Sequence, residues 1–196
     1  HVFSFMDFLV GRVSELIADN FIVTPRRPVV SGLGYGEQAS LTGNEQWSDV
    51  TNPDGTNILC KFANGARGLV DFSRVATGRK MGYAYEIHGT TGAIRFDQED
   101  QNAVWLYRAE GPEATRGYTR ILTGPAHPDY GMFCQGPGHG TGYQDQIIIE
   151  ARDFLRAIHT GQPVWPTFRD GLAVSQIIDT AFQASDDGRW HVVPQA

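Results

Sequence analysis

TNILCKFA (56–63), Asn64-Gly65 and ARGLVDFSRVA (66–76) read as two strands joined by a tight reversal. Asn-Gly tolerates positive φ at both centres of a type I′ turn, and apolar runs flank it. A two-residue turn sets Cys60 opposite Leu69 and Leu59 opposite Val70. Working outward, YAYEIHG (83–89), AIRFDQ (93–98), AVWLYR (103–108) and GYTRIL (117–122) continue the meander, with turn signals at Thr91-Gly92 and Gln101-Asn102. Upstream, Val13, Ile17, Phe21, Ile22 and Val23 predict a strand over 12–24 that stops at Pro25, and residues 26–55, rich in Gly, Pro, Asn and Ser, read as loop.

Helices bracket these strands. VFSFMDFLV (2–10) reads as a helix stopped by Gly11. Ile147, Ile148, Ala151, Phe154, Leu155 and Ile158 recur at helical spacing over 143–159, behind a Thr141/Gln144 capping-box pattern. A further helix spans 168–185, with Thr167 as N-cap and an apolar stripe of Leu172, Val174, Ile177, Ile178, Ala181 and Phe182; WHVV (190–193) is a closing strand. The pattern defines an α+β class: a large open, mostly antiparallel β-sheet with helices packed on one face, in a single domain over 1–196. Val, Phe, Trp and Tyr occur on both sides of the strands, more than a few helices can cover. The expected outcome is a homo-oligomer, dimer or tetramer, packed through the open sheet face and burying more than about 2,000 Å².

The 196 residues carry 16 Lys+Arg against 22 Asp+Glu, a net charge of −6, with 41% hydrophobic and 19% charged residues. That is the balance of an ordered globular chain, with no basic patch to neutralise phosphates and no apolar run long enough to span a membrane, so neither nucleic acid nor membrane is an expected partner. Cys60 and Cys134 form neither a disulfide framework nor a zinc spacing, which fits a reducing, cytoplasmic compartment. The chain opens on His1 with neither Met nor charged leader, as the interior of a longer protein would.

GLGYGEQ (32–38) and GPGHGTG (136–142) both miss G-x-G-x-x-G, and neither follows an isolated strand to open a βαβ helix. There is no Walker lysine and no G-x-S-x-G elbow. His127, Asp129, His139 and Asp145 match no metal-ligand template, so no metal is expected. Asp187 and His191 read as a turn carboxylate and a strand histidine, and Glu99, Asp100 and Asn102 as a solvated turn. Trp105 and Tyr107 read as packing residues. GPAHPDYGMFCQGPGHGTG (124–142) holds six Gly and three Pro, and a loop of that length is functional or flexible. His1 opens an apolar helix, where free N–H groups and the dipole favour a neutral imidazole able to take a hydroxyl proton. Position alone leaves a second origin open, the last residue of a purification tag.

Three stretches, in order, carry a resemblance. HVFSFMDFLVG (1–11) resembles the G-x-H-x-x-(D/N)-x-x-x-x-(L/I)-x-G segment of the Gfo/Idh/MocA oxidoreductases, although Ser4 stands where that family often has Asp or Asn. IHGTTGAIRFDQEDQNAVWLY (87–107) is similar to its G-x-x-G-x-(I/L)-x-(F/W) hairpin, and 138–193 to its closing helices and strand. The resemblance implies the C-terminal domain of a two-domain NAD(P)-dependent dehydrogenase acting on a polyol or sugar hydroxyl. NAD or NADP would be held mainly by a preceding Rossmann domain, with no cofactor in this part, which alone would be inactive. His1 matches the family histidine that exchanges the substrate hydroxyl proton, and its partner Asp would precede this chain. The 124–145 loop then offers a polar wall for the substrate. His139 and Tyr143 come first, because Gly138, Gly140 and Gly142 allow close backbone approach; His127 and Asp145 follow, with Asp129 and Tyr130 alongside. A purely structural loop, and a helix-capping Asp145, stand as the alternatives. Two other classes compete: a stand-alone β-rich carbohydrate-binding or scaffold module, and a His/Asp hydrolase built on residues 127–145.

Overall fold

The computed structural model describes residues 1–30 and 40–195, so GLGYGEQ lies outside the described residues. The chain divides into two compact units, His1–Thr77 with Trp165–Ala196, and Gly78–Val164. All strand pairs are antiparallel, and three helices accompany ten strands among the described residues. The class is α+β. Its strands fall into ladders of four, two and four, with the break between Ser73 and Ala84.

In the first unit, α1 (Val2–Leu9) is followed by β1 (Val13–Phe21), the short ribbon of β2 (Arg26–Pro28) and β3 (Trp47–Asp49), and then β4 (Gly55–Phe62) and β5 (Arg67–Ser73). With β10 (His191–Val192) the larger sheet runs β10-β1-β4-β5. The hairpin forms, but one residue away from the register a type I′ turn sets. Leu59 faces Leu69 and Cys60 faces Gly68, because the reversal takes three residues, Ala63-Asn64-Gly65, and only Gly65 adopts positive φ, at 92°. The Gly65 N–H bonds to the Phe62 carbonyl at 3.0 Å, and the Asn64 amide donates to the Val10 carbonyl at 2.7 Å. Burial explains the choice. The observed register pairs Ile58 with Val70, both buried, and leaves Leu59 and Leu69 together on the outer face; a one-residue slip would have set an outward Leu59 against an inward Val70.

The 20-residue helix α3 (Phe168–Asp187) lies against β1. It presents Ala173, Ile177, Thr180, Ala181 and Ala184 to the interior, whereas Leu172, Ile178 and Phe182 of the expected stripe stand exposed. The methyl-sized residues let the helix approach the strands closely enough to enclose Leu16, Ile58 and Cys60. Phe3 of α1 completes this core and meets Phe72 edge to face at 5.4 Å. The N-terminus of α3 is closed as expected: the Asp170 carboxylate accepts from the Thr167 N–H and hydroxyl, both at 2.7 Å, and also takes an Arg12 N–H at 3.0 Å. At the other end, the His191 Nε2 lies 3.0 Å from both oxygens of Asp187, so those two residues are hydrogen-bonded to each other.

Asp54 is the one buried carboxylate among the described residues. It gathers the Thr24 N–H at 3.0 Å, the Val23 N–H at 2.9 Å and the Arg27 guanidinium, fixing the chain as it leaves β1. The Thr24 N–H, then the Val23 N–H and the two arginines Arg27 and Arg74, hold its carboxyl below the usual range against the opposing effect of burial. A depressed folded pKa contributes stability that is complete above the unfolded value and is lost as pH falls through the folded one. Asp54→Asn is therefore expected to lower the denaturation midpoint at pH 7, with the gap to wild type closing from about pH 4 downward. Equal midpoints at pH 7 would contradict this.

The second unit is a four-stranded meander, β6 (Ala84–His88), β7 (Gly92–Asp97), β8 (Ala103–Arg108) and β9 (Thr119–Leu122), followed by the glycine-rich loop and α2 (Tyr143–Thr160). Glu99 is no idle turn residue. It accepts from the Lys80 N–H at 2.8 Å, from Arg79 at 2.6 Å and from the Met81 N–H at 3.2 Å, and these bonds, with the Lys80 contribution first, hold its carboxyl at about 2. Asp100 takes two bonds from Arg120, at 2.7 and 3.0 Å. α2 buries none of its residues: Ile147, Ile148, Phe154, Leu155 and Ile158 are all exposed.

Candidate active site

His1 belongs to the first unit. It is exposed and serves as the N-cap of α1, its carbonyl accepting the Phe5 N–H at 3.0 Å, and its imidazole makes no capping bond. The apolar residues behind it, Phe3 above all, anchor the helix on the core and so fix the backbone that carries the imidazole. One cleft of about 420 Å³ in the same unit is lined by Phe3, Phe72 and Phe182, with Asn20, Thr56 and Arg74 among its polar residues. That volume is within the range of small-molecule sites.

His127, His139, Tyr143 and Asp145 all belong to the second unit, on one continuous segment. His127 is half-buried; its Nδ1 faces the Gly124 N–H at 3.1 Å and its ring meets that of Tyr130. His139 and Tyr143 are exposed, the histidine on the loop and the tyrosine as the first residue of α2. Asp145 caps its helix, one carboxylate oxygen taking the Gly142 N–H at 2.7 Å. The cap is thus Gly142 with Asp145, in place of the expected Thr141 with Gln144. Asp129, in the left-handed region at φ 66°, is paired with Arg152, whose hydrogen bond leads the effects that hold the carboxyl below its usual range. No three metal-ligating side chains are gathered among the described residues.

Thr141 is buried because Asn102 holds it. The Asn102 Oδ1 accepts the Thr141 N–H at 2.8 Å, its Nδ2 donates to the Thr141 carbonyl at 3.0 Å, and the Gln101 Nε2 donates to that same carbonyl at 2.7 Å. Asn102 also accepts, on its own carbonyl, the Thr123 N–H at 2.9 Å and hydroxyl at 3.0 Å. Sequence reasoning placed Asn102 in a solvated turn and missed this. No local signal marked it, since its partners lie 21 and 39 residues away in the chain.

The described residues thus form an antiparallel α+β domain with an exposed histidine opening its first helix and a polar loop on its second unit. The chain matches, over residues 1–193, the family described as "Oxidoreductase family, C-terminal alpha/beta domain", and it belongs to that Gfo/Idh/MocA family. It is 36% identical over 196 residues to levoglucosan dehydrogenase of Pseudarthrobacter phenanthrenivorans, covering all of this chain and 50% of that protein. It is also 30% identical over 145 residues to inositol 2-dehydrogenase of Rhizobium meliloti, covering 72% of this chain and 37% of that one. The solved structure of levoglucosan dehydrogenase in complex with NADH and levoglucosan superposes with a TM-score of 0.88 at 34% identity, over 100% of this chain and 49% of the other. An oxidoreductase domain protein from Kribbella flavida gives 0.88 at 31%, with 100% and 50% covered. The chain therefore spans about half the length of the relatives it matches over its full extent.

Proposed function

We propose that the chain is the C-terminal, substrate-binding domain of an NAD(P)-dependent oxidoreductase that acts on a polyol or sugar hydroxyl by hydride transfer. The match to the family domain over residues 1–193 carries this reading. Relatives named for levoglucosan and inositol support the substrate class, and the complexes of levoglucosan dehydrogenase with NADH support the cofactor class. Among the described residues every strand pair is antiparallel, whereas a Rossmann dinucleotide site is built on parallel strands. The cofactor is assigned to the other half of the full-length enzyme, where it supplies the hydride acceptor. This chain supplies the rest. His1 takes the hydroxyl proton, and His139, Tyr143, His127 and Asp145 form a polar wall that orients the remaining hydroxyls. The test is spectrophotometric: the full-length enzyme with a panel of polyols and anhydrosugars should form NADH or NADPH, and no turnover on any of them overturns the reading.

The proposed partner is a second copy of the chain. Leu59, Leu69 and Val192 are 50%, 73% and 74% exposed on β4, β5 and β10, on the face opposite α3, as the alternation with buried Ile58, Cys60 and Val193 requires. Leu59 pairs with Leu69 on one side and Ile17 on the other, and an apolar strip across β1, β4 and β5 suits a face-to-face homo-oligomer. Leu69→Asp is expected to reduce the molar mass seen by light scattering to that of the monomer, while wild type scatters as a dimer or tetramer. The free Cys60 and Cys134 suit a reducing compartment such as the cytoplasm.

A further inference from the structure

The loop from Gly124 to Gly140 leaves the second unit's sheet and returns to it at one residue. Asn102 stands at the start of β8, between the strand that leads into the loop and the segment that leads out. Its backbone carbonyl binds the entering residue, Thr123, and its side-chain amide binds the leaving residue, Thr141. The amide works as a peptide group would in a β-ladder, accepting one N–H on its oxygen and donating to one C=O from its nitrogen. Thr141 and Ala103 are buried beside the half-buried Asn102, at 7% and 3% exposure. Gly140 packs flush on the amide, so that a methyl group in place of its hydrogen would stand 2.6 Å from both Cγ and Nδ2 of Asn102. His139 precedes this contact directly and Tyr143 follows it by three residues, so the neck holds the backbone next to both.

We infer that Asn102 is a positioning residue for the reaction: by closing the neck of the 124–140 loop with Gly140 seated on its amide, it sets where His139 and Tyr143 meet the substrate. This rests on the polyol dehydrogenase reading above and adds to it a residue that touches no substrate. Asp in place of Asn keeps the size and the acceptor but loses the donor, and sets a carboxylate against the Thr141 carbonyl. The loop then loses its fixed closure while the strands on either side keep their own ladders.

The experiment uses full-length enzyme and two readouts. In Asn102→Asp, KM for the polyol is expected to rise about tenfold, the scale of one lost hydrogen bond of this kind, with kcat and KM for the nicotinamide cofactor close to wild type. Amide exchange should accelerate across 124–142 and stay unchanged in β7 and β8. Gly140→Ala should give the same split, and the double variant should be no worse than either single one, because both open the same contact. A merely structural role would lower the fraction of active enzyme, reducing kcat while leaving each KM in place, and that result overturns the proposal. The two readings fail separately. A wild-type enzyme with no polyol turnover sinks the dehydrogenase reading and the positioning role with it. Normal turnover with an unchanged polyol KM in Asn102→Asp sinks the positioning role alone, and unchanged loop exchange sinks the clamp itself.

Discussion

Replacing His1 by Ala in the full-length enzyme is expected to lower kcat for the polyol by about 10²- to 10⁴-fold, the range that a positioned proton acceptor contributes. Moving a hydride from a carbinol carbon leaves a positive centre that is neutralised only as the hydroxyl proton departs, so the proton needs an acceptor within hydrogen-bond reach. His1 has the attributes for this task on its own side of the site: an exposed imidazole, uncommitted to the helix cap, on a helix anchored through Phe3. His1→Gln separates the proton from the hydrogen bond, since the amide keeps a donor and an acceptor of similar reach but accepts no proton at neutral pH. It should therefore resemble Ala in kcat while holding KM nearer to wild type. Binding of NADH, followed by its fluorescence, should not change in either variant. A kcat within about threefold of wild type in both would remove His1 from the chemistry.

The largest stability effect is expected at Leu16. Its side chain is 0% exposed, enclosed by β4 and α3, where Ile58, Cys60, Ala181 and Ala184 are buried with it. Leu16→Ala removes three carbons from a site whose helix wall is already alanine. The void cannot be filled by a longer neighbour swinging in, and the cost should fall at about 2–5 kcal/mol. Leu172→Ala, on the exposed side of α3 and away from the sheet face proposed for self-association, provides the matching control at under about 0.5 kcal/mol. Chemical denaturation followed by a probe in this unit separates the two. Comparable costs at both positions would mean that the assignment of inner and outer faces is wrong.

The same alternation shows what could be read before any coordinates. The α+β class and the longer strands were legible because the period-two patterns and the Asn-Gly reversal are local signals, whereas the three-residue β2 and β3, in the stretch 26–55 read as loop, are too short to carry one. The hairpin register was not, since Asn64-Gly65 is compatible with both a two-residue and a three-residue turn, and burial on the sheet decides between them. The α3 stripe was misread for a related reason. Leu172, Ile178 and Phe182 are the more hydrophobic choices, but close packing against β1 selects the face that alanines can bring near. At the site, the histidines and Tyr143 could be named from their residue types and the glycines around them. Asn102, Glu99 and Asp54 could not, because polar residues in turns look alike in sequence whether they face water or bind two backbone groups. Their partners lie 18 to 39 residues away in the chain.

The methyl-lined contact between α3 and β1 makes tolerance to change lopsided across the first unit. On the strand side a side chain can be trimmed and the domain merely weakens. On the helix side, at Ala181 and Ala184, any enlargement must lift a whole helix off its bed, taking with it the Asp170–Arg12 tie at one end and the Asp187–His191 latch at the other. Change in this domain is thus expected to be borne outward, on strand faces and loops that leave this foundation undisturbed.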